Sequence, residues 1–442
     1  MSAVTISILV LLSIVLIILL TSVTKLNAFA SLFIVALLLA MVALPDKNVV
    51  DILKQGFGST MASIGFLIIF GATIAVVLEK SGGAESIANY ILTKTGHSRA
   101  ASAMSITGFI VGLPIFCDSG YIIMSGLAKS FSSKARIALP FIAFVLATSL
   151  YSVHCLIPTH PGALAASGIL NANIGMLILA GAIFAIPAAL SAFLWVRWQT
   201  RKMVYEETTS SWSDIRTLKQ LPPVHLSLLP IAVPLLLIAI GSLLNVLNIS
   251  DLNFFLKSLS FLGQPIIALM IGVLLSFPLL RTRGVQGINS VLESAIEKAG
   301  PILIVTGAGG MFGLVIKETG VGGFAGEFFL QTGLGLAIPF LIASILKTAQ
   351  GSSTVAIITA ASFIAPMLPA LGLDSETGKL LAMLAMGAGS MMVSHANDSY
   401  FWVVSRFSGI SSNTTLKVYS TATIVMGLVT FLCIWVASFF ML

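Results

Sequence analysis

The 442-residue chain is 57% hydrophobic and only 9% charged, with 23 Lys and Arg against 16 Asp and Glu and a net charge of +7. A soluble domain carries about 25% charged residues, so this chain cannot cover a water-facing surface of ordinary polarity, and the bilayer is its solvent. The positive balance calls for no nucleic acid, because cytoplasmic loops of membrane proteins are enriched in Lys and Arg. Cys117, Cys155 and Cys433 lie in apolar surroundings, at spacings that suggest neither a disulfide framework nor a zinc motif.

The first apolar run, Val4 to Leu20, lacks a basic leading segment and a small-residue cleavage site, and a second apolar run follows at once. It reads as a retained helix rather than a secretion signal. A spanning helix needs ~20 apolar residues. Candidates in the first half are 4–21, 26–44, 59–79, 136–169 and 173–196. In the second half they are 226–247, 262–280, 299–316, 378–404 and 416–441. Between the third and fourth candidate of each half lies an apolar stretch broken midway by Gly, Pro and polar residues, at 100–130 and 335–366. Each arm has about 11–14 residues, so at ~1.5 Å per residue it reaches about half of the ~30 Å core. Two such arms joined by a polar tip describe a re-entrant helical hairpin. The only long polar segment, Arg197–Pro223, reads as a cytoplasmic linker. No P-loop occurs, which leaves ATP-driven transport without support.

The chain repeats itself about 240 residues apart. Glu79-Lys80-Ser81-Gly82 closes one apolar stretch, and Lys317-Glu318-Thr319-Gly320 closes its counterpart. Thr95-Gly96 is matched by Thr332-Gly333, and Ser149–His154 by Ser390–His395. The expected fold is therefore an all-α polytopic membrane protein of two inverted-topology repeats. Each has about five spans, a re-entrant hairpin and a broken helix. The first repeat covers 1–200 (hairpin 100–130, broken helix 136–169), the linker 201–224 and the second repeat 225–442 (hairpin 335–366, broken helix 378–404). Charge supports the inversion. With the linker in the cytoplasm, only Lys47, Lys54, Lys257, Lys317 and Lys379 fall outside. Lys347 lies within the membrane, and the rest of the 23 basic residues fall inside. Paired halves with broken segments at matching places are the sequence pointer to a transporter binding site.

Irregular backbone at membrane depth is tolerated only where protein buries it or where it lines a polar cavity. Four such places occur: Gly112–Gly120, Lys347–Thr354, Ser152–Gly162 and Ser394–Ser399. Helices beginning after Asp118 and after Gly351 offer free N–H groups and a positive dipole end, an anion site, with Ser119 and Gly120 in the first turn of one. Ser352, Ser353 and Thr354 add hydroxyls, and Lys347 adds a charge that at this depth needs a partner. The reading is a pocket for a carboxylate surrounded by hydroxyls. Thr159, His160 and Asn397 fall in the breaks and join the candidate substrate ligands. Asp118, His154, His395 and Asp398 are the candidate proton carriers, with tip carbonyls, Ser353, Thr354 and Asn397 as the sodium alternative. Each residue also has a structural reading. Ser, Thr and Gly runs pack membrane helices, Lys347 could snorkel, and the aspartates and histidines could cap broken helices. No HExxH, GxSxG or GxGD motif occurs, which argues against an intramembrane hydrolase. Opposed hairpins suit alternating access better than a channel.

At these residues the sequence resembles the gluconate permease (GntP) family, bacterial inner-membrane symporters for gluconate and related hydroxy acids. The likeness rests on His154-Cys-Leu-Ile-Pro-Thr-His-Pro-Gly162, Gly351-Ser-Ser-Thr-Val-Ala-Ile-Ile-Thr-Ala360 and Ser394-His-Ala-Asn-Asp-Ser-Tyr-Phe-Trp402, and extends over the whole chain. Better-known gluconate carriers differ in having a proline at Thr159, a glutamate in the tip near Asp118 and an arginine at Lys347. The resemblance implies a non-enzymatic, multi-pass inner-membrane carrier within the ion transporter superfamily. Its partners would be a small carboxylate, the lipid bilayer and a second copy in a homodimer, with elevator-like motion. Protons drive the implied symport with no cofactor beyond the proton motive force and no metal, sodium remaining the alternative. Gluconate is the family's substrate, and a shorter acid such as glycerate or lactate is the alternative.

Overall fold

Lipid offers no partner to a backbone N–H or carbonyl, so a spanning chain must satisfy its backbone internally. The computed structural model of this protein does so with helix, and it describes residues 2–95, 100–203, 221–246, 254–320 and 335–441. Among these residues there is no strand. Most of the expected linker and the Thr332-Gly333 landmark lie outside the described residues.

The first half runs α1 (Ala3–Ile18), α2 (Ala28–Ala43), α3 (Val49–Ser81), α4 (Gly83–Thr95), α5 (Ala100–Gly112), α6 (Cys117–Ala135), α7 (Leu139–Leu156), α8 (Pro161–Leu170) and α9 (Ile174–Thr200). The second half runs α10 (Val224–Val246), α11 (Phe254–Leu262), α12 (Pro265–Ser276), α13 (Gly284–Glu318), α14 (Ala337–Gln350), α15 (Ser353–Ile364), α16 (Glu376–Ser390), α17 (Ser399–Ser408) and α18 (Ser412–Met441). A π turn at Leu416–Ser420 lies within α18. In each half a long helix comes before two short helices meeting at a tip, then an interrupted helix, then a long closing helix.

Seven helices among the described residues are long and apolar enough to span, and α11 with α12 makes an eighth if the 74° bend between them is counted as one span. Ten full-length spans were expected, and two of the differences have local causes. α2 has only 16 residues, and the segment at 378–404 is divided by its break into α16 and α17. The long helices also start earlier than hydropathy suggests, α3 at Val49 and α13 at Gly284. Both continue as helix through charged sequence beyond the ~30 Å that lipid can cover.

The repeated sequence landmarks prove to be helix stops. α3 ends at Gly82 (φ +79°) and α13 is followed by Gly320 (φ +71°), left-handed positions that a glycine adopts without a Cβ clash. These two helices pack against each other and run antiparallel. Glu79 at the end of α3 meets Lys298 in the first half of α13 at 2.6 Å, and Lys47 just before α3 meets Glu318 at the end of α13 at 2.7 Å. Between these pairs their backbones nearly touch. A Cβ on Gly310 would stand 2.0 Å from Thr60 Oγ1 and 2.7 Å from the Gly56 carbonyl. Gly310→Ala should therefore destabilise the protein by roughly 1–3 kcal/mol, the usual cost of overpacking. Thermal unfolding in detergent would show it, with Gly58→Ala, where nothing lies within 4 Å, as the neutral comparison.

The remaining helices interlock across the halves. α6 packs on α17 and α15 packs on α8, while α9 lies along α18. Each two-helix unit thus lies against the interrupted helix of the other half.

Candidate functional site

Both tips are built by the breaks that face them. The first, Leu113–Phe116, joins α5 to α6 and is held by His160, whose Nε2 lies 3.1 Å from the Ile115 carbonyl oxygen. Gly120 lets α6 approach α7, where an added Cβ would sit 3.0 Å from Leu150. The second tip, Gly351–Ser352, turns through Gly351 at φ +84°. A Cβ there would lie 2.1 Å from the Asn397 carbonyl oxygen, so the chain can pass only as glycine. The last carbonyls of α14 have no helical partner. Asn397 Nδ2 donates to the Thr348 and Ala349 carbonyls at 2.8 and 3.3 Å, and His395 Nε2 lies 3.2 Å from the Thr348 oxygen. His395 and Asn397 are therefore helix-end partners here.

The breaks also create four helix N-termini around one cavity of about 290 Å³. Phe116–Ser119 open α6, Pro161 opens α8, Ser352–Thr354 open α15 and Asp398–Tyr400 open α17, and all of them line this space. Tyr151 and His154 from α7, and Lys298 and Ile302 from α13, complete the wall. Each helix start presents a positive dipole end; those of α6 and α8 have no side-chain cap, whereas Ser352 caps α15 and Asp398 caps α17. Their convergence at membrane depth is the arrangement by which discontinuous helices hold an anion. The volume lies at the small end of the ~300–1,000 Å³ usual for ligand pockets.

Two carboxylates face the cavity, and their surroundings differ. Asp398 caps α17 by accepting from the Tyr400 N–H at 3.0 Å, and its other oxygen takes Lys347 Nζ at 2.6 Å and the Ser394 hydroxyl. Asp118, in the first turn of α6, keeps a buried Oδ1 with no protein partner. His154 likewise has an unpartnered buried Nδ1, with its ring stacked on Tyr151 and 4.9 Å from that of His160. Lys298 Nζ reaches Glu79 at 2.6 Å and the Ser119 hydroxyl at 3.2 Å. Among the described residues no group of His, Cys, Asp or Glu is arranged to hold a metal.

The cavity brings together Asp118, Ser119, His154, Ser352, Ser353, Thr354 and Asp398 of the residues expected from sequence. It does not include Gly120, Gly351, His160, His395 or Asn397, which shape the tips. Thr159 lines a separate small apolar cavity beside Pro114 and Pro158. Lys347 is corrected too. It is fully buried and occupied by Asp398 and the Gly351 carbonyl, and it does not line the cavity, because a cation at this depth needs a resident counter-charge. Lys298, Tyr151 and Tyr400 went unnoticed. Hydropathy places Lys298 on the cytoplasmic side just before the 299–316 span, whereas α13 carries it as helix. Tyr151 stands inside the repeated Ser149–His154 segment and Tyr400 just after the Ser394–Ser399 break, and their rings lie 5.5 Å apart. Their hydroxyls donate to the Ser390 and Ala147 carbonyls, which fixes the rings as walls.

Comparison with known proteins bears on this site. The GntP family permease model matches residues 5–440. The chain belongs to the GntP permease family. Among similar proteins, the inner membrane permease YgbN of Escherichia coli is 32% identical over 98% of this chain and 99% of its own length. The high-affinity gluconate transporter of E. coli is 31% identical, covering 90% and 91%. The D-serine transporter DsdX of E. coli is 28% identical, covering 97% of each chain. The crystal structure of the Alcanivorax borkumensis YdaH transporter, described as having an unusual topology, superposes with a TM-score of 0.62 at 17% identity, over 88% of this chain and 87% of that one. This GntP-family member is an all-α, multi-pass membrane permease.

Proposed function

We propose that this GntP permease carries a small hydroxy carboxylate, gluconate or a shorter acid such as glycerate, across the inner membrane in symport with protons. The observation that carries the reading is the convergence of four helix N-termini and the Ser119, Ser352, Ser353 and Thr354 hydroxyls on one cavity. N–H groups and a dipole suit the carboxylate, and the hydroxyls suit a polyhydroxy chain. Charge balance supports a proton as the co-ion. The acids Asp118, Asp398 and Glu79 face the cations Lys298 and Lys347. The cluster is thus one negative charge in excess, and an arriving anion would add a second in a medium where charge is costly. A proton taken up with the anion leaves the total unchanged.

Uptake into proteoliposomes tests this directly. Labelled gluconate, glycerate and D-serine would be supplied under an imposed proton gradient, or under a sodium gradient at equal pH. A hydroxy acid should accumulate when the outside is acidic and fail to do so after a protonophore is added. Accumulation driven by sodium alone would overturn the coupling, and accumulation of D-serine alone would overturn the substrate class.

A further inference from the structure

We propose that Lys298 of α13 is the cation that receives the substrate's carboxylate, and that Glu79 of α3 is an exchangeable counter-ion which it releases on binding. The inference deepens the carboxylate reading of the cavity and rests on it. Lys298 is the only cationic side chain among the described residues that line this space. Lys347 cannot serve, since its ammonium is buried and already committed to Asp398 and the Gly351 carbonyl.

Lys298 is held differently. Its side chain is 35% exposed and that of Glu79 is 28% exposed. The pair is thus only part-buried, unlike the sealed Lys347–Asp398 pair, so the lysine can change partner without stranding a charge in the core. Glu79 is not among the lining residues, while Lys298 is, and the Lys298 ammonium also touches the Ser119 hydroxyl at the start of α6. The ammonium therefore spans the gap between a carboxylate outside the cavity and a hydroxyl inside it. A substrate carboxylate seated at the α6 N-terminus would meet the same ammonium, and a charged hydrogen bond would replace the Glu79 contact. Because Lys298 belongs to the α3–α13 pair and Ser119 to the tip, the bound acid would tie these two parts together.

Direct binding of gluconate, and of glycerate where gluconate does not bind, to the purified permease in detergent tests the exchange. Lys298→Gln should weaken binding roughly ten- to a hundredfold, the range for a charged hydrogen bond. Lys298→Arg should restore most of it. Glu79→Gln should strengthen binding, because the lysine then has no competitor. A pair that merely staples α3 to α13 would behave otherwise, with Lys298→Gln and Glu79→Gln lowering thermal stability together and shifting affinity in the same direction. That parallel behaviour would overturn the inference, as would unchanged affinity in Lys298→Gln. Both of those outcomes leave the carboxylate reading intact, whereas a wild-type protein that binds neither acid overturns the reading and the inference with it.

Discussion

Lys347→Ala should destabilise the permease by about 3–5 kcal/mol, the cost of removing one partner from a buried ion pair. Lys347 is 0% exposed and the Asp398 side chain 6%, and they meet at 2.6 Å. Without the ammonium, Asp398 would keep only the Ser394 hydroxyl and the Tyr400 N–H. It would be left as a nearly buried carboxylate without its counter-charge. The Gly351 carbonyl would lose its partner as well, in the tip that opens α15. Removing both charges should be far milder than removing one, so Lys347→Met combined with Asp398→Asn should recover most of the stability. Thermal unfolding in detergent of the two single variants and the double variant closes the cycle. A Lys347→Ala protein that melts like the wild type yet binds substrate tenfold more weakly would assign the ammonium to the substrate and not to Asp398.

Asp118→Asn should abolish gradient-driven accumulation while sparing substrate exchange. Asp118 lies at the cavity wall with a buried oxygen that no protein group satisfies, so it is the acid there with room to take a proton. Asparagine resembles its protonated form in shape and charge. The variant should bind the acid and exchange labelled for unlabelled substrate across the vesicle, since neither step needs net proton movement. Uphill uptake, up to about tenfold per pH unit for one proton per anion, should fall to equilibration. In the wild type, protonation on the outer face loads the carrier, so uptake should decline as external pH rises. In the variant the pH profile should be flat. Retained accumulation with wild-type pH dependence would move the proton to His154, whose buried Nδ1 is also unpartnered, or point to sodium.

The tips and breaks were legible in the sequence because irregular polar residues inside an apolar run leave few alternatives. Glycine, proline and aspartate there mark places where backbone must be rebonded. The repeated Glu-Lys-Ser-Gly and Lys-Glu-Thr-Gly were legible as landmarks, though their cause, a left-handed glycine ending each long helix, needed the backbone angles. Pairing was not legible. Lys347 and Asp398 are 51 residues apart, and Lys298 and Glu79 are 219 apart. No periodicity connects such distances, so the sequence calls for a partner to Lys347 without saying which, and places Lys298 only at the cytoplasmic edge of a span. A cation just before an apolar run marks the edge of the lipid. It marks the end of the helix only if the helix stops there, and α13 begins at Gly284.

The antiparallel pairing of α3 with α13 also draws two matched positions apart. Thr60 stands as far before Gly82 as Lys298 stands before Gly320, so the antiparallel pair carries these matched positions to different cavities. One copy now places a cation beside the α6 tip. The other places the Thr60 hydroxyl, with Ser59 and Ser63, along a different cavity that also holds Lys317 and Asp374. Substitution at one of these positions can therefore reshape one cavity without touching the other, a freedom that two identical halves would lack.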